Sequence, residues 1–331
     1  MPACRICQNI GPHLEWVARE MMYGTQEEFR YFECSACGCL QIDTVPPNLG
    51  SQYPGEYYAP IHGSLYRRVK DTIRRPFRAR RFESLLRGRG TLPSLFPETV
   101  IPGHLVLVMR RFGITTDAEV LDIGCGTGKF LRYLSAVGFH RLTGIDPFLP
   151  RDIALPRGVR LLKREIGEVE GEFDLILSTH SLEHMPDQNM AMGAISRLLA
   201  PSGVAVVRIP TVSSLAWETY RGNWVQLDAP RHLFLHSRNS FALLAENHGL
   251  RIADICDDST EVQFWGSEQY RRDVPLNSPM SFTVDHRTPL FTTEEMSEFR
   301  RRAEVLNKEG RGDQFSAALV KSRQPGEVDG E

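Results

Sequence analysis

The chain has 331 residues, 41% of them hydrophobic and 24% charged, with a formal charge of −2. That length suits one α/β domain of ordinary size plus a small appendage, and the charge argues neither for a nucleic-acid partner nor against one. No apolar run is long enough to span a bilayer, and Met-Pro-Ala-Cys lacks a signal peptide's apolar core. The expected address is therefore the cytoplasm, where seven cysteines point to metal or burial before disulfides.

Residues 1–58 read as a zinc-ribbon-like module. Cys4-x-x-Cys7 and Cys34-x-x-Cys37 form two knuckles whose thiolates would close a tetrahedral shell around a structural zinc, with no open position for substrate water. Cys39 is an alternative to Cys37 as a ligand. Short strands around Leu14–Ala18 and Phe29–Phe32 would hold the knuckles together, and a core this small leaves the metal to supply folding energy. Tyr53-Pro-Gly-Glu-Tyr-Tyr58 reads as an aromatic, turn-rich connector.

Residues 59–95 form a basic amphipathic linker. From Arg67 to Arg89, ten Lys and Arg face only Asp71 and Glu83. Tyr66, Val69, Ile73 and Phe77 share one helical face, and Pro76 is expected to break or bend the helix. The favoured reading is a connecting helix that docks its apolar face on the main domain. Peripheral contact with an anionic membrane surface through Arg67–Arg89 is the alternative. A nucleic-acid role is disfavoured, because the aromatics lie away from the basic face.

Residues 96–322 read as an α/β domain. A helix over Ile101–Phe112 precedes strands at Val120–Ile123, Leu142–Asp146, Val159–Leu162, Phe173–Ser178 and Val204–Ile209. Helices are expected at Gly128–Val137 and at Asp187–Leu199, the second closed by Pro201-Ser-Gly203. The proline-rich link after Asp146 leaves little room for a helix. A helix over Ser240–His248 then leads to final strands at Arg251–Asp257 and Phe315–Lys321. Residues 259–311 between those strands are an insertion containing a helix at Thr293–Asn307, and 323–331 are a polar tail.

The first of these strands carries the strongest signal. Val120, Leu121 and Ile123 suit a strand covered on both faces. Gly124, Gly126 and Gly128 permit a sharp turn and close ligand approach. Asp146 closes the next strand at the distance that suits a carboxylate accepting from ribose hydroxyls. Asp122-Ile-Gly-Cys-Gly-Thr-Gly128, Gly144-Ile-Asp-Pro147 and Phe173-Asp-Leu-Ile-Leu-Ser-Thr-His-Ser-Leu-Glu-His-Met-Pro-Asp187 together resemble the ordered motifs of class I S-adenosylmethionine-dependent methyltransferases. The resemblance implies a Rossmann-like, seven-stranded fold with its last strands antiparallel at the sheet edge. It places Gly124, Cys125, Gly126 and Gly128 against the methionine part of S-adenosylmethionine and Asp146 on the ribose. Asp122 would help hold the turn or the amino group, with Pro147 and Phe148 beside the adenine and Glu165 or Ile166 near its amine. Ser178, Thr179 and His180 would stand beside the sulfonium.

Candidate bases are His180, His184, His232 and His236, since a neutral imidazole accepts protons near pH 7. Trp224-Val-Gln-Leu-Asp-Ala-Pro-Arg-His-Leu-Phe-Leu-His-Ser237 resembles the acceptor-side segment of bacterial methyltransferases acting on sugars and surface glycans. In it, Asp228, Arg231 and His232 cluster among Trp217, Tyr220 and Trp224. His232 is the leading base. Arg231 is a candidate contact for a diphosphate or carboxylate, and His236-Ser237 reads as the N-cap of the following helix. The expected reaction is methyl transfer to O, N or C of a small sugar-linked acceptor. The rivals are a ubiquinone-type small-molecule O-methyltransferase, which would not account for the cysteine module, and a partner-binding protein built on the same scaffold.

Overall fold

The computed structural model describes residues 2–47, 65–88, 101–284 and 290–322. The connector at Tyr53–Tyr58, the ends of the basic linker and the polar tail lie outside them.

The main sheet has eight strands: β4 (Glu119–Ile123), β5 (Arg141–Ile145), β6 (Ile153–Leu155), β7 (Val159–Leu162), β8 (Phe173–Thr179), β9 (Leu199–Pro210), β11 (Leu250–Asp257) and β12 (Gln314–Lys321). Their order is β11-β12-β9-β8-β4-β5-β7-β6. The five inner strands from β7 to β9 run parallel, whereas β12, β11 and β6 pair antiparallel. This is the expected Rossmann-like α/β fold with one additional edge strand, β6, formed by the proline-rich stretch after Asp146. The chain order reverses direction between β4 and β8, and that switch point opens a crevice beyond the carboxyl ends of both strands. Both faces of the parallel strands are covered, by one apolar cluster around Leu121, Ile176 and Ala205 and by another around Val120, Leu175 and Val204. Continuous apolar strands in the sequence reflect this double burial.

Helices α2 (Gly103–Arg111), α3 (Lys129–Ala136), α4 (Gln188–Leu198) and α6 (Arg238–Asn247) lie within two or three residues of expectation. The side chain of Asp187 caps α4 by accepting from the Met190 N–H, which fixes its start. Its end differs, because β9 begins at Leu199. Pro201-Ser-Gly203 therefore lies inside the strand, at the register shift against β8 between Phe173 and Leu175. The insertion contains α8 (Thr293–Glu309), opened by a capping box at Thr292 and Glu295. It also contains α7 (Val262–Arg271), which packs on residues 225–227 and whose mixed polarity hid it in the sequence.

Helix α1 (Leu65–Leu86) is unbroken, with Pro76 inside it. Proline removes one ladder hydrogen bond and strains one turn, and the helix continues through it. Phe82, Leu85 and Leu86 dock against the apolar cluster that includes α2 and α3. Phe77 is not part of this docked face: it is 75% exposed. Among the described residues, no helix is long and apolar enough to cross a membrane.

The N-terminal strands β1 (Leu14–Arg19), β2 (Glu28–Glu33) and β3 (Leu40–Ile42) form an antiparallel sheet that does not end at the ribbon. Its fourth strand is β10 (Phe234–Leu235), paired with β3 from within the candidate acceptor segment.

Candidate active site

The carboxyl ends of β4, β5 and β8 build one wall of the crevice. After Ile123 the backbone turns with positive φ at Gly124, Gly126 and Gly128. A Cβ on Gly124 would lie 2.2 Å from Ser181 Oγ, whereas one on Gly126 would meet open space. Gly124 thus lets the turn pack against the end of β8, and Gly126 leaves the ligand side clear. The Asp146 carboxylate accepts from the Gly126 N–H at 3.0 Å and the Phe148 N–H at 2.9 Å, tying the turn to the end of β5. Asp122 is buried beside it, and burial together with the Asp146 charge pushes its carboxyl up to about 7. Two buried acids side by side suit a cationic ligand. Pro147 and Phe148 are exposed at the rim, as is Glu165, while Ile166 is buried. Ser178 Oγ is buried with no hydrogen-bond partner among the described residues. These features fit S-adenosylmethionine, whose ammonium and sulfonium would lie by the acids and whose ribose and adenine would lie by Asp146 and Phe148.

Beyond the end of β8, histidines and acids gather from two segments. The turn after β8 (Leu182–His184) carries Glu183 and His184, and the segment before β10 carries Asp228, Arg231 and His232. His184 Nδ1 donates to the Arg231 carbonyl at 2.9 Å, and His232 Nδ1 donates to the Gln226 carbonyl at 2.7 Å. A carbonyl only accepts, so each ring donates through Nδ1. His232 Nε2 lies 4.0 Å from Glu183 Oε1 and 3.9 Å from Asp228 Oδ2. The two rings meet edge to face with centroids 4.7 Å apart. Burial, followed by the neighbouring His184, holds the His232 imidazole down to about 4. Glu183 is fully buried, and its nearest basic group is His180 Nδ1 at 3.3 Å from Oε1. Burial would raise its carboxyl, but His180, His184 and His232 together hold it at about 2. His180 stands at the rim with φ of 50°, its Nδ1 3.3 Å from Glu183 and its Nε2 facing Arg208. His180 and Asp228 (φ 39°) both occupy the left-handed region that non-glycine residues avoid, a strain that tends to concentrate at functional sites.

Three sequence expectations change. Arg231 does not present its guanidinium to an anion: it is 2% exposed, pairs with Asp228 at 2.6 Å and bonds Glu20 at 2.9 Å. Trp217, Tyr220 and Trp224 are not an exposed platform; they are buried in the core, with Trp224 Nε1 donating to Asp313 at 3.1 Å. Tryptophan and arginine patterns look alike whether they meet a ligand or a neighbouring module, and here the ribbon and α7 cover them. His236 is fully buried between Gln188 and Ser240, so Ser237 alone caps α6. Glu20 and Tyr31 were not anticipated as neighbours of the site. Nothing in their local sequence marks them, since they reach it only through the pairing of β3 with β10.

The four cysteines of the knuckles converge. Cys4 and Cys37 Sγ are 3.6 Å apart, Cys7 and Cys34 Sγ are 3.5 Å apart, and all four lie within 4.8 Å of one another. A tetrahedron of thiolates at about 2.3 Å from zinc has edges of roughly 3.8 Å, so the set fits that ion. The Gln41 side chain donates to Cys4 Sγ at 2.9 Å, and the Ile6 and Cys7 amides point at the same sulfur. Such donors support thiolate ligands. Cys39 is buried outside the cluster, 3.9 Å from His236 Nδ1.

Residues 103–255 match the family described as "Methyltransferase domain". The chain is 29% identical over 158 residues to the C-methyltransferase NovU of Streptomyces niveus, which covers 45% of this chain and 36% of that protein. It is 33% identical over 113 residues to the ubiquinone biosynthesis O-methyltransferase of Aeromonas salmonicida, covering 31% of this chain and 47% of that one. The chain thus spans less than half the length of these relatives. The solved Burkholderia thailandensis 1,6-didemethyltoxoflavin-N1-methyltransferase, with bound S-adenosylhomocysteine, covers 80% of this chain and 95% of its own at 16% identity and a TM-score of 0.39. Residues 103–255 are thus similar to methyltransferase domains, and they lie on the Rossmann-like α/β sheet described above.

Proposed function

We propose that the protein transfers the methyl group of S-adenosylmethionine to a sugar-linked small-molecule acceptor, with His232 as the general base and a structural zinc in the knuckle. The observation that carries this reading is the juxtaposition of an acidic glycine-turn cradle with a buried imidazole beyond the end of β8. When bound, S-adenosylmethionine supplies an electrophilic methyl group, so the protein's tasks are to position the acceptor and take up its proton. His232 Nε2 accepts that proton. The imidazolium so formed faces Glu183 and Asp228, whose carboxylates stabilise the charge as it develops. The fixed Nδ1–H on the Gln226 carbonyl keeps the lone pair aimed during the transfer.

The similarity to the C-methyltransferase NovU supports methyl transfer, while the sugar-linked acceptor rests on the resemblance of the Trp224–Ser237 segment and on the cysteine module. The similarity to ubiquinone biosynthesis O-methyltransferases supports a second reading, O-methylation of a ubiquinone-type small molecule by the same base. Calorimetric titration with S-adenosylmethionine and S-adenosylhomocysteine, beside an Asp146→Ala variant, tests the cofactor side. Micromolar binding lost in the variant is the expected result, and no binding by folded wild type refutes the enzyme reading. Nucleotide-linked sugars and catechols then form the acceptor panel, and methylation confined to the catechols would favour the second reading.

A further inference from the structure

The ribbon makes buried polar contacts with the segment that carries Arg231 and His232. Tyr31, 1% exposed on β2, donates its hydroxyl to the His232 carbonyl at 3.0 Å. Glu20, 1% exposed just after β1, bonds Arg231 Nη2 at 2.9 Å. The Glu20 carboxylate also accepts from the backbone amides of Met22, Tyr23 and Thr25, so it is a fixed anchor rather than a mobile surface acid. The Ile42 amide donates to the Leu233 carbonyl at 3.0 Å, and β3 pairs Gln41 with Phe234 and Leu40 with Leu235. The backbone held in this way is the one whose Arg231 carbonyl accepts from His184 Nδ1 and whose Leu233 amide donates to the Glu183 carbonyl at 2.8 Å. His184, His232 and Glu183 therefore share one support, and the support is the ribbon sheet.

That sheet is in turn bonded to the knuckle. Gln41 pairs in register with Phe234 while its side-chain amide donates to Cys4 Sγ, and its side-chain oxygen accepts from the Arg5 amide between the first two cysteines. Across the same contact Ser237 Oγ donates to the Cys37 carbonyl at 2.5 Å. From the knuckle to His232 the path is Cys4, Gln41, β3, β10 and the Arg231–His232 backbone, all of it buried.

We propose that the metal-loaded knuckle is a positioning device for the methyl-transfer base. Gln41, Tyr31 and Glu20 act as positioning residues that set the orientation of His232 and His184 without touching cofactor or acceptor. The metal is consequently required on the acceptor side of the crevice and dispensable for cofactor binding, which rests on β4, β5 and β8. This inference rests on the structural-zinc and His232 readings above. It goes beyond them by coupling the two sites.

The test uses the full chain as purified, stripped of metal by a chelator and then reloaded with zinc, together with Gln41→Met and Tyr31→Phe variants. Three quantities are read: zinc per chain, amide hydrogen exchange along residues 228–237 and 119–128, and calorimetric binding of S-adenosylhomocysteine. Histidine ring correlations by NMR report the tautomers of His184 and His232. Stripping should speed exchange at 228–237 about tenfold or more, leave exchange at 119–128 and S-adenosylhomocysteine affinity within about twofold, and mix the two tautomers, all reversed by zinc. Tyr31→Phe should mix the tautomers with zinc still bound, and Gln41→Met should raise exchange at 228–237. Verified metal-free protein with unchanged exchange and tautomers at 228–237 overturns the coupling. So does parallel loss of S-adenosylhomocysteine binding, which would make the knuckle a general folding support. If purified protein binds no zinc even on loading, the zinc reading fails by itself, and the two variants still decide whether the ribbon sheet orients the base.

Discussion

Replacing Asp122 with Asn should flatten the pH dependence of cofactor binding. Asp122 is buried against Asp146 and titrates at about 7 rather than near its usual 3.8, so in the free protein it is about half protonated at neutral pH. A cationic cofactor favours the carboxylate, and binding must displace that proton. For a group with that pKa, the ionised fraction rises from roughly a tenth at pH 6 to roughly nine tenths at pH 8. Affinity for S-adenosylmethionine should rise about tenfold over the same interval, or about 1.4 kcal/mol. Roughly half a proton should be released per cofactor at pH 7, measurable by calorimetry in buffers of different ionisation enthalpy. The linkage to folding has the opposite sign. A raised carboxyl pKa means that the ligand-free fold binds a proton the unfolded chain has lost, so this group costs stability as pH rises from about 4 to about 7, by about 4 kcal/mol at most. Asp122→Asn should therefore raise the melting temperature of ligand-free protein at pH 8 while weakening cofactor binding there. A pH-independent affinity in the wild type, or an unchanged pH slope in the variant, would refute the assignment of Asp122 to the cofactor cradle.

Three further outcomes follow from the acceptor wall. His232→Asn places an amide N–H where Nδ1–H meets the Gln226 carbonyl but removes the Nε2 lone pair. Turnover on any accepted substrate should fall by about 10²–10⁴ with S-adenosylhomocysteine affinity unchanged, and a smaller loss would remove His232 as the base. His232 and His236 are both held at about 4 by burial, against 6.5 in the unfolded chain. Their contribution is fully present above about pH 6.5 and is lost as pH falls through about 4, by up to roughly 3 kcal/mol each. Urea unfolding of His236→Gln should accordingly show an acid limb shallower by about one proton than that of the wild type. Glu20→Ala leaves Arg231 buried with only Asp228 opposite it, and should destabilise the fold by about 3–5 kcal/mol. A cost below about 1 kcal/mol would show that the triad is solvated.

The cofactor wall was legible because it is written almost contiguously. A strand, a glycine turn and a carboxylate at the end of the next strand are local patterns, and a doubly covered parallel sheet makes its strands apolar throughout. The glycine turn needs Gly124 for packing against Ser181 and Gly126 for open space, and both demands are visible as glycines. The discrepancies arose where local rules compete with tertiary context. Pro76 would end an isolated helix, yet α1 has a docked face at Phe82, Leu85 and Leu86 that outweighs one lost hydrogen bond. Pro201-Ser-Gly203 has turn chemistry and nevertheless lies in β9, because the neighbouring β8 pairs with it on either side of an irregularity.

The acceptor wall was legible only as a list of residue types. Asp228, Arg231 and His232 stand close together in the sequence, but their roles depend on partners far away in it. Arg231 would be an anion contact if Glu20 were elsewhere, and Glu20 is 211 residues distant. The Trp217, Tyr220 and Trp224 trio would be a ligand platform if nothing covered it, and the cover comes from α7 and from β1, whose Trp16 meets Trp217 edge to face at 5.3 Å. Glu183 is inconspicuous in the sequence, because what sets it apart is its burial among three histidines. What joins these segments is a two-residue pairing, Phe234 and Leu235 against Gln41 and Leu40, too short to leave a periodic trace. A cysteine module that looked like a separate appendage is thereby joined to the segment that carries His232. Its effect on the chemistry should be sought in the orientation of His232, and not in any residue of the ribbon reaching the acceptor.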